Sequence, residues 1–152
     1  MDVKEESQFI LNILEKVEFF QGFAEDELWR LLESGDWSKA APGEKIVTAG
    51  ELDLHMYVLI NGQAEVVFGH KVMAVLEGGD TFGEFGLMGE RRSADVVSKT
   101  PCLLLKFNAD RLNQLPVPLQ VKLLKRILFS LMVRLQSVNR HFFWNLPTHW
   151  KR

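Results

Sequence analysis

Glycine-based turns divide residues 37–107 into short segments rich in β-branched side chains. Asn61-Gly62 stands between two such segments, Met56–Ile60 and Gln63–Phe68, and Asn-Gly is the strongest short-range signal of a β-hairpin. Further turns are predicted at Pro42-Gly43-Glu44, Ala49-Gly50-Glu51, Gly69-His70 and Glu77-Gly78-Gly79-Asp80. About eight short strands with turns between them are typical of a β-barrel or jelly roll. The sequence therefore predicts a mainly β domain.

Helices are predicted on both sides of this region. Apolar residues recur at three- and four-residue steps before it and after it, with polar residues between them. The predicted helices are 4–20, 24–35, Ala109–Leu115 and about 118–143, and the remaining predicted strands are Lys45–Thr48, Val72–Leu76, Asp95–Ser98 and Cys102–Phe107.

The bulk composition is that of one soluble globular domain. The chain has 152 residues, of which 47% are hydrophobic and 25% charged. Its single cysteine, Cys102, lies in an apolar run, so we expect a buried, unreactive thiol and no internal disulfide. The chain shows no signal-like N-terminus and no apolar run near 18 residues, so we expect a cytoplasmic protein without a transmembrane segment.

The last predicted helix carries a heptad-like apolar seam. Its members follow one another at alternating steps of three and four residues: Val121, Leu124, Leu128, Leu131, Leu135, Val138 and Phe142. This spacing predicts a homodimer in which Leu124, Leu128, Leu131, Leu135 and Val138 meet a second copy of the helix. The alternative is that the whole helix packs on its own domain.

Charge is distributed unevenly along the chain. Residues 111–152 hold 8 basic residues and no acid, whereas residues 1–110 hold all 20 acids. The basic end either folds back on the acidic body or meets a partner. A third hypothesis assigns membrane or nucleic-acid binding to the basic and aromatic residues Arg134, Arg140, Trp144, Trp150, Lys151 and Arg152.

The stretch Phe82–Ala94 has the composition of an anion site. Two glycines flank Glu84, a short apolar run follows, and Arg91-Arg92 closes it. An arginine offers paired planar donors to a phosphate, and glycines let backbone N–H groups approach an anion closely. An acid beside them can accept from sugar hydroxyls. This stretch, named the cassette below, predicts a site for a sugar phosphate.

Several motifs in order resemble those of the cyclic nucleotide-binding domain family. They are Phe-x-Gly before an acidic helix start, Pro42-Gly43-Glu44-x-Ile46, Gly50, Tyr57-Val58-Leu59-Ile60-x-Gly62, Gly79-Asp80-x-Phe82-Gly83-Glu84, and Arg92-Ser93-Ala94. The resemblance covers about residues 9–143. It implies an eight-stranded β-roll of the jelly-roll type, with N-terminal helices and a long C-terminal helix, that binds cyclic AMP or cyclic GMP.

The resemblance also implies roles for single residues. Arg92 would pair with the cyclic phosphate, and Glu84 would accept from the ribose 2′-hydroxyl. Other residues implied at the sugar and phosphate are Gly83, Phe85, Gly86, Ser93 and Ala94, and those implied near the base are Val72, Met73, Val75 and Val96. Within the family, serine after the arginine favours cyclic AMP over cyclic GMP. The last helix would supply a lid.

The cassette departs from the family pattern in its length. The segment between Glu84 and Arg92 is a residue or two shorter than in most members of the family, and the loop Met88-Gly89-Glu90 is the expected site of the deletion. Arg91 stands where the family often has a proline before the arginine. We expect Arg91 to be solvated, with Glu90 as a candidate counter-ion for one arginine. We therefore expect the structure to differ from the family pattern most in the position of Glu84 relative to Arg92.

The predicted function is that of a stand-alone regulatory domain at residues 1–143, followed by a tail at 144–152. The alternative is a degenerate member of the fold that acts as a ligand-free interaction or dimerisation module. The four histidines, His55, His70, His141 and His149, match no metal spacing, so we expect surface roles for them. Neither an enzymatic site nor a DNA-binding module is predicted, and the downstream partner is left unidentified.

Overall fold

Two four-stranded antiparallel sheets form the body of the protein, in a computed structural model that describes residues 2–144 and the side chains up to residue 136. The strand order is β1-β8-β3-β6 in one sheet and β2-β7-β4-β5 in the other. The strands are β1 Gly35–Ala40, β2 Lys45–Val47, β3 His55–Asn61, β4 Ala64–Phe68, β5 Lys71–Leu76, β6 Thr81–Phe82, β7 Asp95–Ser98 and β8 Cys102–Asn108. The predicted eight-stranded β-roll is confirmed.

Helices flank the roll at both ends of the chain. They are α1 Val3–Glu15, α2 Glu25–Glu33, α3 Ala109–Leu112 and α4 Val117–Trp144, with short 3-10 helices at Glu18–Phe20 and Glu84–Met88. Asp2 and Glu5 form a capping box that begins α1. The Asn108 side chain accepts from the backbone N–H of Asp110 and so caps α3, as the sequence predicts.

One predicted helix end is wrong and one strand was missed, both for reasons of tertiary packing. The first helix ends at Glu15 rather than near residue 20, because the chain turns there to bury Phe19 and Phe20. Strand β1 was missed because Gly35–Ala40 lacks alternating β-branched residues, yet it pairs with β8 along its whole length. Such a strand is specified by its partner rather than by its own residues.

The helices pack against one face of the roll and form the larger of two cores. Leu119, Leu123 and Ile127 of α4 are buried there beside Phe19 and Phe20. The smaller core lies between the sheets and includes Cys102, whose predicted burial is confirmed. Within residues 2–144, none of the helices is long and apolar enough to cross a membrane.

The predicted seam of α4 is divided between the body and solvent. Leu124, Leu128 and Leu135 are 57%, 57% and 58% exposed. Leu131 is instead half-buried and packs against the domain's own core. Its position at the border of the buried face explains this, because α4 has to cover the helices beneath it. The Val138 side chain and residues 145–152 of the predicted tail lie outside the described residues.

Candidate functional site

The cassette begins with a glycine-bounded 3-10 helix, Glu84–Met88, which we name the cassette helix. Gly83 and Gly89 flank it with φ angles of +76° and +72°, a region that side chains disfavour. Gly86 lies so close to the start of β3 that an added Cβ would stand 2.4 Å from the Asp53 carbonyl oxygen and 2.6 Å from that of His55. The absence of a side chain at Gly86 therefore lets the cassette helix rest directly on the β3 backbone.

Arg92 is buried beneath the cassette and is only 4% exposed. Its Nη1 donates to the Gly83 carbonyl oxygen and its Nη2 to that of His55, both at 2.5 Å. Nη2 also lies 3.1 Å from Oδ2 of Asp53. The Nε–H is buried without a hydrogen-bond partner among the described residues. A buried donor without an acceptor costs free energy, so this atom marks a place for one.

Asp53 is the centre of the polar cluster around Arg92. Its Oδ1 lies 2.6 Å from Nδ1 of His55, and its Oδ2 accepts from the Tyr57 hydroxyl at 3.5 Å. Burial raises the pKa of Asp53, but the hydrogen bonds from His55 and Arg92 outweigh it, and the net pKa is lowered. Burial, with Asp53 nearby, raises the pKa of Tyr57 to about 12, so its hydroxyl stays protonated.

Glu84 is held on the opposite side of the cassette, next to α4. Thr81 donates its hydroxyl to Oε1 of Glu84 at 2.7 Å, and Nη1 of Arg134 lies 3.9 Å from the same oxygen. Arg134 also donates through Nη2 to the Thr81 carbonyl oxygen at 2.6 Å, and the hydroxyls of Ser130 and Thr81 are 3.4 Å apart. Helix α4 therefore contacts the cassette directly.

A cavity of about 310 Å³ separates α4 from the edge strand β5. Val75 lines it from β5, while Phe129, Val133 and Arg134 line it from α4. Val72, Met73 and Val75, the residues assigned near the base, are 47%, 58% and 45% exposed. Val96 does not share that surface, because it is buried in the core between the sheets.

The remaining cassette residues lie at or near the surface. Arg91 is exposed, as expected, and donates to the Gly50 carbonyl oxygen at 3.0 Å. Phe85 and Ser93 are exposed, and Ala94 is half-buried. Glu90, the expected counter-ion for one arginine, pairs with neither among the described residues: Arg92 pairs with Asp53, and Arg91 donates to Gly50.

Three residues of the site were not predicted: Asp53, His55 and Arg134. The surface role expected for His55 is wrong, because its side chain is only 25% exposed and bonds to Asp53. Arg134, assigned to a basic surface, contacts the cassette instead. An acid followed two residues later by histidine at a strand start was the available signal for Asp53 and His55. Among the described residues, no group of three or more His, Cys, Asp or Glu side chains could hold a metal ion.

The fold and the cassette together define a class of protein. The β-roll with a buried arginine, a glycine-bounded turn and a flanking acid is the arrangement expected from the resemblance to cyclic nucleotide-binding domains. The family model for the cyclic nucleotide-binding domain matches residues 37–116, and the chain belongs to that family.

Relatives and solved structures agree with this membership. Mouse cyclic nucleotide-gated channel beta-3 is 32% identical over 124 residues, which are 76% of this chain and 18% of the channel. The chain thus spans less than a fifth of the length of the curated channel relatives that it matches. A cyclic nucleotide-binding domain from Methylobacillus flagellatus has a TM-score of 0.77 at 22% identity and covers 94% of this chain and 85% of that one. The structure of PKAR CBD2 bound to Sp-2Cl-cAMPS has a TM-score of 0.70 at 21% identity and covers 90% of this chain and 93% of that one. At these identities the two structures establish the fold alone.

Proposed function

We propose that the chain binds cyclic AMP in the cassette, with Arg92 as the phosphate anchor. The observation that carries the proposal is the buried guanidinium whose Nε–H has no partner among the described residues. An exocyclic phosphate oxygen would supply the acceptor that this donor lacks. The mouse channel and PKAR names support a cyclic nucleotide as the ligand class.

Glu84 is the proposed acceptor for the ribose 2′-hydroxyl. Its Oε1 accepts from the Thr81 hydroxyl and lies near Arg134. Binding is therefore an exchange of partners at both anchors, in which the ligand replaces contacts within the chain. Ser93, which follows Arg92 and is exposed, favours cyclic AMP over cyclic GMP by the family resemblance.

Helix α4 is the proposed output of a regulatory domain. Arg134 and Ser130 tie it to Thr81 at the edge of the cassette. A ligand that draws Glu84 or Thr81 into new hydrogen bonds changes these contacts and shifts α4. Coupling between two sites of this kind is typically about 1–3 kcal/mol.

A homodimer through α4 is part of the same proposal. Val121, Leu124, Leu128, Met132 and Leu135 are exposed on one face of the helix. The steps between them are three or four residues, which is the spacing of a helix that meets another helix. A shift of α4 would then change the geometry of the dimer.

A ligand-free interaction module is the second candidate, and one observation favours it. Both anchors are bonded within the chain, Arg92 to Asp53 and two carbonyl oxygens, and Glu84 to Thr81. In this alternative the cluster only stabilises the fold, and the exposed face of α4 does the binding.

Thermal unfolding with cyclic AMP, cyclic GMP and 5′-AMP separates the two candidates. A ligand at a hundred times its Kd stabilises the folded state by about 2.7 kcal/mol. We expect the midpoint to rise with cyclic AMP, to rise less with cyclic GMP, and not to move with 5′-AMP. No shift with either cyclic nucleotide at millimolar concentration contradicts binding and favours the second candidate.

A further inference from the structure

A polar cluster beneath the cassette contains one carboxylate and two basic side chains. Asp53 lies 3.1 Å from Nη2 of Arg92 and 2.6 Å from Nδ1 of His55. Arginine is permanently charged, whereas an imidazole ordinarily changes charge between about pH 5 and 8. The cluster therefore has a net charge that a single proton at His55 can change.

We propose that His55 is a positioning residue that takes up a proton when cyclic nucleotide binds, so that ligand affinity falls as the pH rises. This inference rests on the proposed function, because it requires an anionic ligand at Arg92. His55 acts through Asp53 and needs no contact with the ligand.

Ligand binding changes the charge balance of the cluster. With His55 neutral, the charges of Asp53 and Arg92 cancel. A cyclic phosphodiester adds one negative charge beside Arg92, which is 4% exposed. An unbalanced charge is costly in a buried site. Protonation of His55 restores neutrality with no movement of the backbone.

Ligand binding also changes the partner of Asp53, from Arg92 to His55. Nη2 of Arg92 is shared between Asp53 and the His55 carbonyl oxygen. When a phosphate attracts the guanidinium, Asp53 loses part of its interaction with Arg92. The imidazole of His55 is already within hydrogen-bond distance of the carboxylate. A protonated His55 therefore compensates Asp53 and leaves Arg92 free to bind the phosphate.

Within the part of the chain that the structure describes, the elements around His55 supply no competing titratable group in this pH range. The acidic, basic and tyrosine side chains on the elements packed against it are Asp53, Tyr57, Glu84, Arg92, Lys106, Asp110 and Arg111. Tyr57 stays protonated because its pKa is raised to about 12. Carboxylic acids, lysine and arginine ordinarily titrate outside about pH 5–8, so histidine is the group that responds.

The second ring nitrogen of His55 faces the start of α3. Its Nε2 lies 3.5 Å from Nδ2 of Asn108, the residue that caps α3. A neutral ring whose Nδ1–H donates to Asp53 presents Nε2 as an acceptor, a tautomer assigned from that pairing. A protonated ring donates from both nitrogens, so Asn108 has to rotate its amide. Proton uptake at His55 thus also changes the hydrogen bonding of Asn108, at the junction between β8 and α3.

Calorimetric titration with cyclic AMP in two buffers of different ionisation enthalpy tests the inference. At a single pH, we expect the heat of cyclic AMP binding to the wild type to depend on the buffer. The difference between the two buffers should correspond to uptake of a fraction of one proton per nucleotide bound. Across about pH 5.5–8, the affinity should weaken with rising pH by at most about tenfold per unit. His55→Asn keeps a donor for Asp53 but cannot titrate. It should bind with pH-independent affinity and no proton uptake.

His70→Asn is the matched control, since His70 lies on the exposed turn between β4 and β5. It should retain both the proton uptake and the pH dependence. If His55→Asn does not fold, the His55 imidazole resonances of the wild type supply the readout, and their titration midpoint should move to higher pH with ligand. An unmoved midpoint overturns the inference.

The remaining outcomes separate this inference from the proposed function. Binding without buffer-dependent heat, or uptake that persists in His55→Asn, overturns the inference and leaves the proposed function intact. If neither cyclic AMP nor cyclic GMP binds, the proposed function fails, and the inference fails with it.

Discussion

Nη2 of Arg92 lies 3.1 Å from Oδ2 of Asp53, and this pair connects the cassette to the segment just before β3. The same guanidinium donates to the carbonyl oxygens of Gly83 and His55. Arg92 is therefore both a structural tie and the proposed phosphate anchor. The two roles predict different consequences for different substitutions.

Arg92→Ala is expected to weaken cyclic AMP binding by about 10- to 150-fold, the loss of a hydrogen-bonded charge pair worth about 1.5–3 kcal/mol. It should also lower the free energy of unfolding, because two buried carbonyl oxygens lose their donor. Arg92→Lys keeps the charge but not the paired donors, so it should recover stability more than affinity. Calorimetry and chemical denaturation measure the two effects.

Arg91→Ala is the control for this series, because Arg91 is exposed and its nitrogen contacts only the Gly50 carbonyl oxygen among the described residues. Its affinity should stay close to that of the wild type. Equal losses in Arg91→Ala and Arg92→Ala would contradict the assignment of Arg92 as the anchor.

Glu84 is expected to distinguish cyclic AMP from its 2′-deoxy analogue. A hydrogen bond from the 2′-hydroxyl to a carboxylate is worth about 1.5–3 kcal/mol, so the wild type should prefer cyclic AMP by about 10- to 150-fold. Glu84→Ala should bind the two nucleotides with similar affinity. Glu90→Ala, an exposed acid in the same cassette, should keep the preference. A preference that survives in Glu84→Ala would exclude Glu84 as the ribose acceptor.

Asp53 should contribute stability that is lost in acid. Its folded-state pKa is lowered, so the contribution is present above the ordinary aspartate value of about 3.9 and disappears as the pH falls through the folded value. The free energy of unfolding of the wild type should therefore fall more steeply between about pH 5 and 2 than that of Asp53→Asn. Asp26→Asn, on the exposed surface of α2, controls for the loss of one negative charge. The prediction is refuted if the free energy of unfolding falls equally steeply between about pH 5 and 2 in wild type and in Asp53→Asn.

The exposed face of α4 should control the oligomeric state. Leu124→Asp with Leu128→Asp places charges within an apolar interface and should convert a dimer to a monomer in sedimentation velocity. Lys99→Asp introduces the same side chain at an exposed position in the turn between β7 and β8, outside α4, and should leave the dimer in place. A wild type that sediments as a monomer at high concentration would rule out this part of the proposal.

Local signals in the sequence predicted much of the fold. The Asn61-Gly62 turn located β3 and β4, and both strands lie within one residue of the predicted bounds. The short strands β1 and β6 were not located, because their pairing with β8 and β3 specifies them. Pairing between distant segments leaves little trace in a strand's own residues.

The site was predictable as a set of residue types but not as a set of contacts. Gly83, Glu84 and Arg92 stand out in the sequence because their chemistry suits a sugar phosphate. The partners of these residues, Asp53 and Arg134, lie far from the cassette in the chain and reach it only through the fold. The inward direction of the Arg92 guanidinium follows from those contacts and from the close approach at Gly86.

Calorimetric titration of the wild-type chain with cyclic AMP, and in parallel with cyclic GMP, tests the central claim most directly. Saturable binding of one nucleotide per chain is predicted, with cyclic AMP the tighter ligand. Tighter binding of cyclic GMP would reverse the proposed preference while leaving the site in place. No heat of binding with either nucleotide at millimolar concentration would contradict the proposed function.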